Sequence, residues 1–232
     1  MSIILLGRAA QFLLALAAMR VATTLLPPEE MGRMSLVITT TAFFALFLVN
    51  PVGMFINRRL HAWQASGTIR HYLTRYWGYL VVVAALSAIC LILLQMTGAL
   101  RFGMTTGWLL LLVCGSLLFN TVNQTVIPSL NLLGYSGWFV SLTVASVALG
   151  FACAALLSWL IQPTSEYWLV GQLAGQTVLA VFGAKVFFRQ ASAGSKVGAP
   201  PEINAKRLRA LSGFAWPVAV AVGFGWVQSQ GY

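Results

Sequence analysis

Between Gly107 and Ser129 the chain reads GWLLLLVCGSLLFNTVNQTVIPS, without a single charged side chain. About 20 predominantly apolar residues are what an α-helix needs to cross the roughly 30 Å hydrocarbon core of a bilayer. At about 100° per residue, Ser116, Asn120, Asn123, Gln124 and, just beyond, Asn131 fall within an arc of about 100°. The stretch therefore predicts a transmembrane helix with a polar stripe along one face.

The remainder of the chain divides by the same measure. Six spans are expected, Ile4 to Leu26, Met34 to Asn57, Tyr72 to Gln95, Gly107 to Ser129, Trp138 to Ile161 and Trp168 to Phe188, with a seventh from Leu211 to Gln230. Breakers separate them: Pro27-Pro28, Gly98, Asn131 with Gly134 and Gly137, then Gln162-Pro163. Trp77, Trp108, Trp138, Tyr167 and Trp168 stand near boundaries, at the depth amphipathic rings prefer. Composition agrees. Of 232 residues 59% are hydrophobic and 8% charged, against roughly 25% charged in a soluble domain, and mean hydropathy is +0.84. So few charges cannot cover a water-facing surface, which excludes a soluble globular protein. Disorder, a collagen-like fibre and a disulfide scaffold fall on high apolar content, aperiodic glycines and only three cysteines. Cys90, Cys114 and Cys153 each lie in an apolar run and read as small core residues. The fold class expected is an all-α integral membrane protein, a six-helix lobe over residues 1–188 followed by a basic linker over 189–210 and a seventh helix over 211–232.

The net charge of +10 follows topology and no polar face that a nucleic-acid backbone could lie on, so no nucleic-acid partner is expected. Arg58, Arg59, Arg70 and Arg75 fall in the second connection, and Lys185, Arg189, Lys196, Lys206, Arg207 and Arg209 in the sixth, on the side of Arg8. Opposite stand Arg33 and Arg101 with Glu29, Glu30 and Glu166. By the excess of basic residues on cytoplasmic loops, the amino terminus is expected inside. A cleaved signal peptide ending near Ala15-Leu16-Ala17 is a weaker reading, since Arg8 and Arg20 interrupt its apolar segment. A basic linker leading to one terminal helix suggests a fragment or truncated frame whose second half is missing.

No enzyme, cofactor or metal is expected. The four carboxylates fall in connections, His61 and His71 both sit in the basic second connection, and no phosphate loop, serine elbow or zinc spacing occurs. Chemistry within the membrane rests on amides. Besides the fourth span, the second carries Ser35, Thr39, Asn50 and Asn57, with Pro51 freeing a backbone carbonyl, and the sixth carries Gln172 and Gln176 one turn apart. Amides facing acyl chains are costly, so they turn toward other helices or a wet cavity. One such residue reads as interhelical glue at about 0.6 kcal/mol, whereas three stripes together favour a water-filled cavity. Gly171 and Gly175, on another face of the sixth span, read as a helix-packing seam. Arg20 lies about 10 Å from the outer end of the first span; it either snorkels to the headgroups or enters the cavity, where an unpaired cation favours an anion. The candidate substrate-binding residues are Arg20, Asn50, Asn120, Asn123, Gln124, Gln172 and Gln176.

The stretch Leu25-Leu26-Pro27-Pro28-Glu29-Glu30-Met31-Gly32, the second span, Gly53, Phe55-Ile56 and Arg58-Arg59 resemble the start of polysaccharide-biosynthesis flippases of the MOP exporter superfamily, which also holds the MATE drug antiporters and the lipid II flippases. The seventh span, Phe214-Ala215-Trp216-Pro217 through Gln230-Gly231-Tyr232, is similar to the opening of their second lobe. An aromatic residue commonly precedes the loop glycine in that family, where Met31 stands here. The resemblance implies a flippase in the bacterial inner membrane that moves an anionic polyprenyl-pyrophosphate-linked oligosaccharide outward by alternating access, for O-antigen, capsule or exopolysaccharide assembly. It also implies a second lobe, from a continuation or a partner chain, and contact with glycan assembly proteins. The alternatives are a MATE-like drug exporter, which usually wants an embedded carboxylate, and a non-transporting membrane scaffold of a glycan assembly complex.

Overall fold

The computed structural model describes residues 2–98, 102–192 and 205–230, which are helical throughout apart from short turns, with no strand. The elements run α1 (Ser2–Leu25), α2 (Pro28–Phe44), a π turn π1 (Ala45–Val49), α3 (Asn50–Ala65), α4 (Ile69–Met96), α5 (Thr106–Gly115), a second π turn π2 (Ser116–Asn120), α6 (Thr121–Leu132), α7 (Ser136–Leu160), α8 (Ser165–Ser192) and α9 (Ala205–Gln230). Because α2, π1 and α3 are continuous, as are α5, π2 and α6, six helices among the described residues are long and apolar enough to cross a membrane. The protein is an all-α, multi-pass bundle.

The helix starts follow from local chemistry. Pro27 is extended at the N-cap of α2 and Pro28 occupies its first turn, where a missing N–H costs nothing and the fixed φ suits a helix. Glu29 and Glu30 in the same turn complement the positive end of the helix dipole.

Helices extend into two of the expected connections, and the second span starts earlier, at Pro28. The second span continues to Ala65 and the third begins at Ile69, so Arg58, Arg59, Arg70 and Arg75 ride on helix ends and only residues 66–68 turn. Leu60, Trp63, Ile69 and Leu73 keep one face of these extensions buried, and the Trp63 and Tyr72 rings stack at 4.1 Å and 11°. Gly67, at φ +68°, closes the turn: Thr68 N donates to Trp63 O and Gly67 N to Gln64 O, the paired bonds of a left-handed helix cap. The second of these connections is the linker. Residues 189–192 continue α8 and residues 205–210 begin α9, while 193–204, which include Lys196, lie outside the described residues, as does Arg101.

The core is aliphatic. Leu60, Leu80, Leu91, Leu109, Leu112, Val113, Leu117, Ile127, Leu130 and Phe187 are fully buried. Leu5, Phe12, Val81, Val82, Ile89, Leu93, Val178 and Phe182 point outward, the distribution of a protein whose solvent is acyl chain. α7 and α8 form the most extensive pair, α1 lies along α7, and α6 packs on both α7 and α8. At Gly171 an added Cβ would meet Cys153 O at 2.5 Å, and at Gly175 it would meet Gly150 N at 2.6 Å. The two glycines bring the α7 and α8 backbones together, as the small-residue seam predicts.

In α9 the described apolar run, Gly213–Gly225, is shorter than the six spans. The helix packs on α3 and π1: Phe214 lies 5.9 Å from Phe55, the Arg58 guanidinium sits 4.7 Å over the Phe214 ring, and Gly223 faces Phe47.

Following the chain through the bundle, Arg8, Arg58, Arg59, Arg70, Arg75, Lys185 and Arg189 share one end with no described carboxylate. Glu29, Glu30, Arg33 and Glu166 share the other. Charge is therefore segregated along the bundle axis.

Candidate functional site: an amide-lined membrane cavity

Helices α2, α5, α6 and α8, together with the two π turns, surround a cavity of about 390 Å³. Its polar lining comes from all three striped spans: Thr41 from the second, Ser116, Asn120 and Gln124 from the fourth, Gln172 and Gln176 from the sixth. Val37, Ile38, Leu112, Leu169 and Leu173 complete it. Among the described residues no ionisable side chain lines it.

The π turn Ser116–Asn120 explains which amides arrive there. A turn closed by i→i+5 bonds holds one residue more than an α turn, so residues four apart stay nearly in line across it. Ser116, Asn120 and Gln124 consequently form a single file on the cavity wall. Asn123 is turned aside. Its Nδ2 donates to the backbone carbonyl of Gln176 at 3.0 Å, stapling α6 to α8, and its buried Oδ1 has no partner among the described residues. Asn131 is not part of the cavity lining; its backbone carbonyl accepts from Gly134 N in the turn after α6.

The second stripe does not reach this cavity: none of Ser35, Thr39, Asn50 and Asn57 lines it. Asn50 follows π1, its N–H bonded back to Ala45 O, and is half-buried outside the cavity lining. The nearby carbonyl with a side-chain partner is that of Leu48, which accepts from the Tyr79 hydroxyl at 2.6 Å. Asn57, half-buried, belongs to a contact between two spans, accepting from Ser129 Oγ at 3.1 Å. Thr41 takes the cavity position, while its hydroxyl donates to Val37 O. It is the lining residue that stripe reading passed over; its spacing from Val37, Ile38 and Ala45, all on the cavity face, was the available signal.

A second chamber of about 460 Å³ adjoins the first, sharing Ile38, Gln172 and Gln176 with it. Its walls are mostly apolar: Ala15, Ala18, Met19 and Ala22 of α1, Met31 and Met34 of α2, Val147, Phe151 and Ala154 of α7, and Trp168 of α8. Two glutamines thus stand between a polar chamber and an apolar one.

Arg20 lines neither chamber and is exposed. The α1 face toward the second chamber is set by Ala15, Ala18, Met19 and Ala22, and Arg20 lies roughly 150° around the helix from its centre. Only its backbone is engaged locally, accepting from the Thr23 and Thr24 hydroxyls. Of the sequence-derived candidates, then, Asn120, Gln124, Gln172 and Gln176 come together, and Arg20, Asn50 and Asn123 do not.

At the acidic end, Glu30 ties two spans. One carboxylate oxygen accepts from Ser165 N at 2.8 Å and Ser165 Oγ at 2.7 Å, and the other pairs with Arg33 at 2.8 Å. This clasp joins the start of α2 to the start of α8, the two helices whose Ile38, Gln172 and Gln176 bound both chambers.

The comparisons with known proteins add no relative: no family model matches the chain, and no curated protein and no solved structure matches it.

Proposed function

We propose that the chain is one lobe of a membrane transporter for a lipid-linked oligosaccharide, a flippase that carries an amphipathic glycan lipid from the cytoplasmic to the outer leaflet by alternating access. The observation that carries this reading is the meeting of Thr41, Ser116, Asn120, Gln124, Gln172 and Gln176 round one cavity that adjoins a mostly apolar chamber. Amide and hydroxyl groups each offer both donors and acceptors, which suits the hydroxyl array of a sugar, and the apolar chamber suits the isoprenoid chain attached to it. Among the described residues neither lining holds a carboxylate, which weighs against a cationic drug as the cargo. A second lobe, from a continuation of the chain, a partner chain or a second copy, completes the enclosure. With the basic end cytoplasmic, outward movement of an anionic pyrophosphate gains about 2.3 kcal/mol per charge per 100 mV of potential, negative inside.

Deletion of the gene from its host is expected to abolish a surface polysaccharide and to leave its lipid-linked precursor in the inner leaflet. Wild-type protein restores export. The triple change Asn120→Leu, Gln172→Leu and Gln176→Leu, at matched protein level, does not. Unchanged surface glycan in the deletion strain, or full export by the triple variant, overturns the proposal.

A further inference from the structure

On a different face of α8 from the amide cavity, a groove of about 910 Å³ opens between α4, π2 and α8 at the basic end of the bundle. Its rim carries Arg70, Lys185 and Arg189, all exposed, with the Thr74 hydroxyl beside them. Among the described residues none of the three cations joins an ion pair and no carboxylate lines the groove. The floor is apolar: Trp77 and Phe119, in edge contact at 6.2 Å, then Val181, Ala184 and Phe188. Val181 lies eight residues, about 12 Å, deeper along α8 than Arg189.

We infer that this groove is a binding site for one anionic glycerophospholipid of the host membrane, its phosphate held by Arg70, Lys185 and Arg189 and its acyl chains laid against Trp77, Phe119 and Val181. The graded chemistry favours a lipid over a free phosphate. Three cations at headgroup level attract an anion, whereas two helical turns of apolar floor beneath them offer a small water-soluble anion nothing. The uncompensated charge favours an anionic headgroup over a zwitterionic one. Trp77 stands where an indole prefers to sit, between headgroup and chain. This inference stands apart from the transport reading. It needs only a membrane and the groove.

The test is native mass spectrometry of the full chain in detergent, titrated separately with phosphatidylglycerol, phosphatidylcholine and glycerol 3-phosphate. One phosphatidylglycerol is expected to bind in clear preference to phosphatidylcholine, with glycerol 3-phosphate failing to displace it. The variant R70Q/K185Q/R189Q is expected to lose on the order of a hundredfold in affinity, taking roughly fivefold for each cation near the surface. R8Q/R58Q/R59Q removes the same charge from the same end outside the groove and is expected to retain binding. A184W, which fills the floor while sparing the cations, is expected to lose it; circular dichroism and gel filtration show that each variant is folded. Equal loss in both charge triples, equal binding of the two lipids, or displacement by glycerol 3-phosphate overturns the site.

Discussion

Asn120 and Asn123 are one turn apart on the same span, yet the structure gives them different surroundings. Asn120 faces the cavity and Asn123 bonds the Gln176 carbonyl across a dry seam. In a variant without the native cysteines, a cysteine at Asn120 or Gln124 is therefore expected to react with small polar thiol reagents. One at Asn123 or at the fully buried Leu117 is expected to stay protected; equal reactivity at all four positions would remove the cavity. Asn123→Leu gives up one hydrogen bond but also a buried oxygen without a partner among the described residues, so its stability cost is expected to stay within about 1 kcal/mol. For Arg20 the position on α1 is decisive. It is exposed and outside both chambers, so Arg20→Ala is expected to leave glycan export in a complemented strain unchanged, which links headgroup contact to the amides alone. Periodicity could not separate Asn120 and Gln124 from Asn123, because it assigns each an angle on an ideal helix and the π turn Ser116–Asn120 changes that angle where these amides sit.

At the scale of elements, the α7–α8 seam and the Glu30 clasp are the parts whose strength can be measured. Gly175→Ala puts a methyl group against the Gly150 backbone, which cannot rotate away. A loss of about 1–3 kcal/mol is expected, read as a lower midpoint in detergent-induced unfolding. Gly78→Ala, where an added Cβ meets nothing within 4 Å, is expected to cost nothing comparable. Glu30→Ala removes the acceptor of two Ser165 bonds and the Arg33 partner together. Hydrogen bonds to a charged group are worth about 1.5–3 kcal/mol, and part of that is expected to appear in the same unfolding measurement. Glu30→Gln is expected to lose less, since its remaining oxygen still accepts from Ser165. The seam was legible in the sequence because small residues four apart announce close approach on any helix. The clasp was not, since Glu30 and Ser165 are brought together only by the packing of the spans.

For the whole molecule, the segregation of charge predicts an orientation. Ser66 lies in the turn at the basic end, and Gln162 lies in the turn before α8 at the other; both are exposed. In intact cells a cysteine at Gln162 is expected to react with an impermeant thiol reagent, and one at Ser66 only after the membrane is opened. The reverse pattern would place the basic end outside and leave the potential opposing export of an anion.

What the sequence determined by itself is the six long apolar helices up to residue 192, the all-α class, the segregation of charge and the glycine seam; the seventh expected span is a helix whose described apolar run is shorter. Each of these is a one-dimensional property: a run of about 20 apolar residues must satisfy its backbone hydrogen bonds within the segment wherever that segment later packs. What only the tertiary structure decided is the membership of the site. Asn120, Gln124, Gln172 and Gln176 share a cavity because π2 re-registers the fourth span and α8 lies across from it, while Asn123 and Asn57 are spent on seams and Arg20 faces away. The basic helix extensions beyond Asn57 and before Tyr72 also waited on structure, because their helicity rests on Trp63 stacking against Tyr72 across the turn. Length and hydropathy are properties of a segment alone, whereas the direction a side chain faces depends on local helix register and on what packs opposite.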